Sequence, residues 1–246
     1  MYNKFSDIYD NFIGIDYPEW ISYIESIWAK FGAQPHLVLD LACGTGNFTI
    51  PLTAKGYDMI GIDNSAEMLS HAQDKASDTS EQPLFILQDM RSFELYGTVD
   101  ACICMIDSIN YILREDELLE TFRLVRNYLN PGGLFVFDIN TVYKFRHVLG
   151  DNSFSDISDD AAIVWENYYD EGTEINEYFV NIFTVRNDGL YERHEETHIQ
   201  RAYEADFVRR SLIDSGLELL ATYGALTFDV PSDESEKIFF VARKTV

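Results

Sequence analysis

An α/β fold with a largely parallel sheet is predicted by three observations. From residue 37 onward, short apolar runs alternate with amphipathic stretches of helical period, the pattern of strands joined by crossover helices. The first run, Leu37-Val38-Leu39-Asp40-Leu41, breaks into the small-residue turn Ala42-Cys43-Gly44-Thr45-Gly46 and re-emerges as a helix start at Asn47-Phe48-Thr49. A second run, Asp58-Met59-Ile60-Gly61-Ile62-Asp63, follows and ends in a carboxylate. Strand, glycine turn and helix together suit a nucleotide-like ligand, because glycine lets the backbone approach and a helix start presents free N–H groups. An acid at the tip of the second strand is where a ribose diol is gripped in such a unit. The pattern G-x-G-x-x-G is not completed, since Thr49 stands where its third glycine falls, and no Gly-Lys-Ser/Thr follows the turn.

Taken in order, residues 1–32 read as an N-terminal helical flap. Phe5, Ile8, Tyr9 and Phe12 fall at helical spacing, and Pro18 opens a helix whose apolar face is Trp20, Ile21, Ile24, Ile27 and Trp28. Residues 33–140 read as the ligand-binding core. Its first helix spans 47–55, where Pro51 is tolerated because it lies near the first turn. Ser65 is placed to cap a helix from Ala66 to about Lys75. The polar stretch Asp78-Thr79-Ser80-Glu81-Gln82-Pro83 precedes a strand at Leu84–Leu87, and Val99 to Ile106 is the central, most buried strand. Glu115 to Leu129 carries one apolar stripe of Leu118, Leu119, Phe122, Val125 and Leu129. Gly132-Gly133 then turns the chain into a fifth strand.

The pattern changes after Asp138. Residues 141–160 read as a mobile loop with some helix. Ala161–Tyr169, Ile175–Val185 and Leu190–His198 alternate like antiparallel strands, with turn signals at Asp170-Glu171-Gly172-Thr173 and Asn187-Asp188-Gly189. Residues 141–202 therefore form an inserted antiparallel β lid. Residues 203–246 return to the core as a helix, Asp206–Ser215, and two strands, Leu217–Tyr223 and Lys237–Ala242, so that 1–246 make a single domain.

With these elements placed, the chain resembles the class I S-adenosylmethionine-dependent methyltransferases. Asp40-Leu41-Ala42-Cys43-Gly44-Thr45-Gly46 is similar to their acidic, glycine-rich first motif, with Ala42 replacing the first glycine of the commonest form. Asp63 matches the second-strand carboxylate, Gln88-Asp89-Met90 the element bordering the adenine, and Cys104-Met105-Ile106-Asp107 the fourth strand. Asn130-Pro131-Gly132-Gly133 through Asp138 resembles the loop and fifth strand. The resemblance implies a Rossmann-like seven-stranded sheet with helices on both faces and S-adenosyl-L-methionine as cofactor. It implies a cofactor site of Asp40, Ala42, Gly44, Gly46, Asp63, Asn64, Asp89, Met90 and Asp107. Asp63 would hold the ribose hydroxyls, Asp40 would orient the glycine loop and the amino end, and Asp89 and Met90 would flank the adenine.

Methyl transfer requires an aligned acceptor, exclusion of water and, for some acceptors, removal of a proton. Asp107 stands at the tip of the central strand, where acceptor or cofactor amino end is expected. Tyr9 is the flap residue expected to reach the site. His194 is the candidate base on the lid, although it shares its strand face with Glu192, Glu196, His198 and Gln200, which reads as a polar solvated surface. The lid aromatics Trp165, Tyr168, Tyr169, Tyr178, Tyr191 and Tyr203 read first as lid core. As a cage they would favour an amine through cation–π attraction.

The net charge of -24, from 18 basic and 42 acidic residues, opposes binding to nucleic-acid backbones or anionic membranes. An Asp/Asn-Pro-Pro-Tyr element after the fourth strand and a Pro-Cys pair, which the base-modifying methyltransferases carry, are both absent. Cys43, Cys102 and Cys104 have no metal-site spacing and read as reduced cysteines of a cytoplasmic protein. No apolar signal segment opens the chain, no apolar span is long enough to cross a membrane, and no metal is expected. The expected reaction is transfer of a methyl group to an O or N atom of a small metabolite. A protein methyltransferase, a non-catalytic cofactor-binding module and a nicotinamide oxidoreductase are the alternatives. The oligomeric state is left open.

Overall fold

Alternate residues of each central strand serve opposite layers, because side chains on a strand point to opposite faces. In the computed structural model, which describes residues 14–77, 79, 81–158, 161–186 and 188–245, Leu39, Leu41, Cys102, Cys104, Phe135 and Phe137 fill one layer. Val38, Ala101, Ile103, Leu134 and Val136 fill the other. Both layers need helical cover, which is why these strands are apolar on both faces.

The elements are α1 (Tyr17–Lys30), β1 (Leu37–Leu41), α2 (Thr49–Ala54), β2 (Asp58–Asp63), α3 (Ala66–Ala76), β3 (Leu84–Leu87), β4 (Val99–Cys104), α4 (Glu115–Tyr128) and β5 (Leu129–Asn140). Then come β6 (Ser153–Ile157), β7 (Ala161–Asp170), β8 (Ile175–Val185), β9 (Tyr191–Arg201), α5 (Ala205–Asp214), β10 (Leu217–Gly224) and β11 (Lys237–Lys244). Seven strands form one sheet in the order β10-β11-β5-β4-β1-β2-β3. β1 to β5 pair in parallel, and β11 runs antiparallel to both β5 and β10. The expected seven-stranded sheet is present. β1 and β4 are neighbours, yet their crossovers leave in opposite directions, so a crevice opens at their C-terminal ends.

Local signals explain the element ends. Pro18 lies in the first turn of α1, and Asp16 accepts from the Glu19 N–H at 3.0 Å. All five apolar residues expected on the inner face of α1 are buried. Ser65 caps α3 by accepting from the Met68 N–H at 3.2 Å. Leu118, Phe122 and Val125 of α4 are buried against the sheet. Tyr9, with Phe5, Ile8 and Phe12, lies outside the described residues.

The inserted segment differs from expectation in one respect. Its antiparallel sheet has four strands, β6-β7-β8-β9, since Ser153–Ile157 pairs with β7. Only Phe154 of that short polar strand is covered, stacked 5.1 Å from the Trp165 ring, so its apolar alternation is too weak to read in sequence. A π-helical turn, Lys144–Leu149, precedes it and buries Phe145 with Tyr169 and Ala202 at the base of the small sheet.

Candidate active site

The crevice is bordered first by the glycine turn. Ala42, Gly44 and Gly46 all have positive φ, at 61°, 53° and 78°, so the turn leaves β1 through a run of left-handed residues that glycine adopts without strain. A Cβ on Gly44 would meet nothing within 4 Å, whereas one on Gly46 would stand 3.1 Å from Phe85 Cζ and 3.3 Å from Ala72 Cβ. Gly44 therefore borders open space, and Gly46 seats the turn against β3 and α3. Gly61 in β2 supports it from below, where a Cβ would lie 2.8 Å from Cys43 Sγ.

Two carboxylates fix this turn. Asp63 accepts the Gly44 N–H on Oδ2 and the Ser65 N–H on Oδ1, both at 2.8 Å, tying the turn to the start of α3. Asp40 is buried beneath the turn and accepts from Thr49 Oγ1 at 2.5 Å. Burial pushes its pKa up to about 7; the Thr49 hydrogen bond opposes the shift and the Asp63 charge adds to it. From α3, Lys75 Nζ reaches Thr45 Oγ1 at 3.0 Å and Asn47 Oδ1 at 2.7 Å. Asn64 is exposed beside Asp63.

At the far side of β2, Asp89 forms an ion pair with Arg91 at 2.6 Å, and Arg91 also reaches Glu117 at 3.3 Å. The hydrogen bond from Arg91 holds the Asp89 pKa below the ordinary carboxylate range, against a burial effect that raises it. Met90 is half-buried against the core. Asp89 is thus a paired carboxylate.

The tip of β4 is the most constrained part of the site. Ile106 and Asp107 are successive non-glycine residues with φ of 56° and 47°. Their N–H groups donate to Asp138 Oδ1 at 2.6 Å and Oδ2 at 2.8 Å. Lys237, the first residue of β11, donates to Asp138 Oδ2 at 2.5 Å and Asp107 Oδ1 at 3.0 Å. The other Asp107 oxygen accepts from Gln200 Nε2 of β9 at 2.7 Å, and Gln200 Oε1 accepts from Tyr178 Oη at 2.7 Å. Burial alone would raise the Asp107 pKa, but the ammonium groups of Lys237 and Lys144 outweigh it and hold the carboxyl below its usual range. Asp138, fully buried, is shifted up by desolvation despite Lys237.

From His194 onward the polar face of β9 is its covered face. Gln200 is 1 % exposed, and His194, Glu196 and His198 are half-buried, while Glu192 on the same face stays exposed, as do Arg193, Glu195, Thr197 and Ile199 on the other. His198 Nε2 lies 2.9 Å from Glu196 Oε2 and its Nδ1 lies 3.2 Å from Tyr111 Oη. An ionised Glu196 only accepts, so the imidazole carries its proton on Nε2 and Nδ1 is left to accept from the tyrosine. His194 sits four positions away, opposite Ile182. Lys237 and Gln200 belong to no motif, while Asp138 closes the fifth-strand element and His198 shares the face of His194; the contacts that join these four to the tip of β4 and to Tyr111 span 31 to 130 residues. Among the described residues, no group of three or more His, Cys, Asp or Glu side chains is placed to hold a metal ion.

Comparison with known proteins decides the family. A methyltransferase-domain model matches residues 38–133, the stretch from β1 to the turn in β5. A putative methyltransferase of Bacillus subtilis, YqeM, is 36% identical over 250 residues, spanning 100% of this chain and 98% of its own. A crystal structure of an S-adenosylmethionine-dependent methyltransferase from Clostridium acetobutylicum is 32% identical, with a TM-score of 0.92 over 100% of this chain and 99% of that one. This chain belongs to the class I S-adenosylmethionine-dependent methyltransferases. The residues present fit that family's cofactor: the glycine turn has open space at Gly44, and the carboxylate at the tip of β2 keeps acceptor capacity beyond its two N–H bonds. A third relative is an N,N-dimethyltransferase of dTDP-3-amino-3,4,6-trideoxy-alpha-D-glucopyranose from Streptomyces venezuelae. It is 31% identical over 134 residues, 53% of this chain and 55% of its own length.

Proposed function

We propose that this methyltransferase acts on an N or O atom of a small metabolite. One observation carries the reading: β9 of the inserted sheet meets the tip of β4 through the 2.7 Å hydrogen bond from Gln200 to Asp107. The four-stranded sheet thus covers the C-terminal edge of the main sheet like a lid, which suits a small acceptor enclosed with the cofactor better than a protein or nucleic-acid surface. The net charge of -24 agrees with that reading. The similarity to an amino-sugar N,N-dimethyltransferase supports nitrogen as the accepting atom.

Bound S-adenosylmethionine supplies an electrophilic methyl group on a sulfonium sulfur. In this reading Gly44 and Gly46 let the backbone approach it, Asp63 holds the ribose hydroxyls, and Asn64 lies alongside. Asp89 and Met90 border the adenine, and Asp40 with Ala42 sets the glycine turn and the amino end. Asp107, with both oxygens engaged, is a fixed negative charge bordering the acceptor rather than a base. On the lid face, His198 oriented by Glu196 is better placed than His194 to take a proton, through Tyr111. Closing the lid excludes water and strengthens each of these contacts.

The test begins with calorimetric binding of S-adenosylmethionine to the wild type and to Asp63→Ala, for which affinity falls at least about tenfold. Release of S-adenosylhomocysteine is then followed with panels of amines, amino sugars, hydroxy acids and phenols, and with peptides and intact proteins. Turnover confined to peptides or proteins would refute the small-metabolite reading.

A further inference from the structure

We infer that Lys237 is a positioning residue for methyl transfer, clamping Asp138 and Asp107 so that the tip of β4 keeps the left-handed geometry facing the cofactor. The inference rests on the reading that this tip borders the cofactor and acceptor space.

The argument starts from backbone sterics. Two consecutive side-chain-bearing residues in the left-handed region are unfavourable, and a β-branched residue such as Ile106 more so. Such geometry persists only where the surroundings over-determine it, and it concentrates at functional sites. Here Asp138 does the fixing, one oxygen on each of the two N–H groups. Asp138 is fully buried, and a lone carboxylate in that position would take up a proton and lose acceptor capacity. The Lys237 ammonium, bonded to both carboxylates, favours their charged, acceptor-only forms and opposes the desolvation that shifts Asp138 upward. Lys144, which donates to Asn140 Oδ1 at 3.2 Å, is a second amine of the cluster and also lowers the Asp107 pKa.

The clamp is placed by the sheet. Lys237 stands opposite Asn140 in the β11–β5 register, two residues from Asp138 on the neighbouring strand. Its Nζ lies 5.5 Å from the centroid of the Trp20 ring of α1, which adds a cation–π contact to the cluster. From this fixed point the chain of contacts runs outward through Asp107 to Gln200 and Tyr178. The lysine therefore sets the direction of a carboxylate that joins the tip of β4 to the lid.

The experiment measures binding of S-adenosylmethionine and S-adenosylhomocysteine by calorimetry, together with the Ile106 and Asp107 amide signals in a 1H–15N spectrum. Lys237→Met, Asp107→Asn, the double variant and the remote core variant Val208→Ala are compared. Lys237→Met is expected to move both amide signals and weaken both ligands by about tenfold, as is Asp107→Asn. Adding Lys237→Met to Asp107→Asn costs under about threefold more, because both act through one tip. Val208→Ala loses thermal stability yet binds within about twofold of wild type, which separates positioning from general destabilisation. If Lys237→Met fails to fold, Asp138→Asn tests the same clamp, with an expected loss of about fivefold. Wild-type affinity with unmoved amide signals in a folded clamp variant overturns the inference, as do effects of Lys237→Met and Asp107→Asn that multiply independently. Wild-type binding by Asp107→Asn overturns the underlying site reading, and the clamp with it.

Discussion

Three glycines in and beneath the turn that follows β1 separate backbone freedom from packing and from the ligand access proposed for it. Gly44 and Gly46 both have positive φ, but only Gly46 is crowded: its absent Cβ would meet Phe85, Ile50 and Ala72 at 3.1 to 3.3 Å. Gly44→Ala thus incurs only the left-handed penalty, about 1–2 kcal/mol. Gly46→Ala adds overpacking of about 1–3 kcal/mol to the same penalty. Gly61→Ala carries no φ penalty, yet its Cβ would stand 2.8 Å from both Cys43 Sγ and Phe85 Cδ1, so it costs about 1–3 kcal/mol by packing alone. For a chain of this length each kcal/mol lowers Tm by about 2–4 °C. Differential scanning calorimetry is expected to rank Gly46→Ala as the least stable of the three. Isothermal titration with S-adenosylmethionine gives a different order. Gly44→Ala, whose methyl enters the open space above the turn, loses affinity by about tenfold or more while staying the more stable of the two turn variants. A Gly44→Ala variant that is as unstable as Gly46→Ala, or that binds S-adenosylmethionine as tightly as wild type, would refute the reasoning.

Four further outcomes follow from the same geometry. Asp40, with a pKa raised to about 7 from 3.8, binds its proton in the folded state over a range where the unfolded chain has lost it. Its contribution is full below about pH 4 and is lost as pH rises to about 7, with a magnitude on the order of 4 kcal/mol. Urea titrations from pH 4 to 8 should therefore show a flatter stability profile for Asp40→Asn. Asp107 has the opposite sign: its pKa is depressed, so its stabilisation is present above the usual carboxylate range and is lost as pH falls through the folded value, a component that Asp107→Asn removes. Asn110→Ala leaves the Asn140 N–H and two carbonyls without their partner, and is expected to cost about 2–4 kcal/mol by urea denaturation. Gln200→Leu cuts the link from Asp107 to Tyr178, and hydrogen exchange of the β9 amides should rise selectively while the β1 and β2 amides stay protected.

The sheet was legible because its physics is local. Strands buried on both faces read as apolar runs, and the glycine turn, the Ser65 cap and the stripe of α4 each lie within a few residues of one another. The tip of β4 was legible only in part. Ile106 follows the apolar run and invited extension of the strand, but the strand ends at Cys104, because Asp138 captures the next backbone N–H groups and turns them left-handed. Nothing near residue 106 announces a carboxylate 32 positions later. Lys237 shows the same limit: a lysine beside an apolar strand looks like a solvated end until the fold carries Asp107 and Asp138 to it. On β9, period-two spacing correctly grouped His194, Glu196, His198 and Gln200, but polarity pointed to solvent. The structure turns that face inward because Asp107 and Tyr111 supply polar partners for it.

Asn110 gives the last consequence. Its amide nitrogen donates to the carbonyl of Asn140, where the chain leaves the main sheet, and to the carbonyl of Arg201, where it returns, at 3.2 and 2.8 Å. Entry and exit of the inserted segment thus share one doorpost. Whatever lies between them can lengthen, shorten or be exchanged for another segment without moving the strands that carry the glycine turn. Under the proposed function, acceptor choice and cofactor chemistry would in this way be free to evolve at different rates within one chain, and a graft joined at those two residues is the natural cut for redesign.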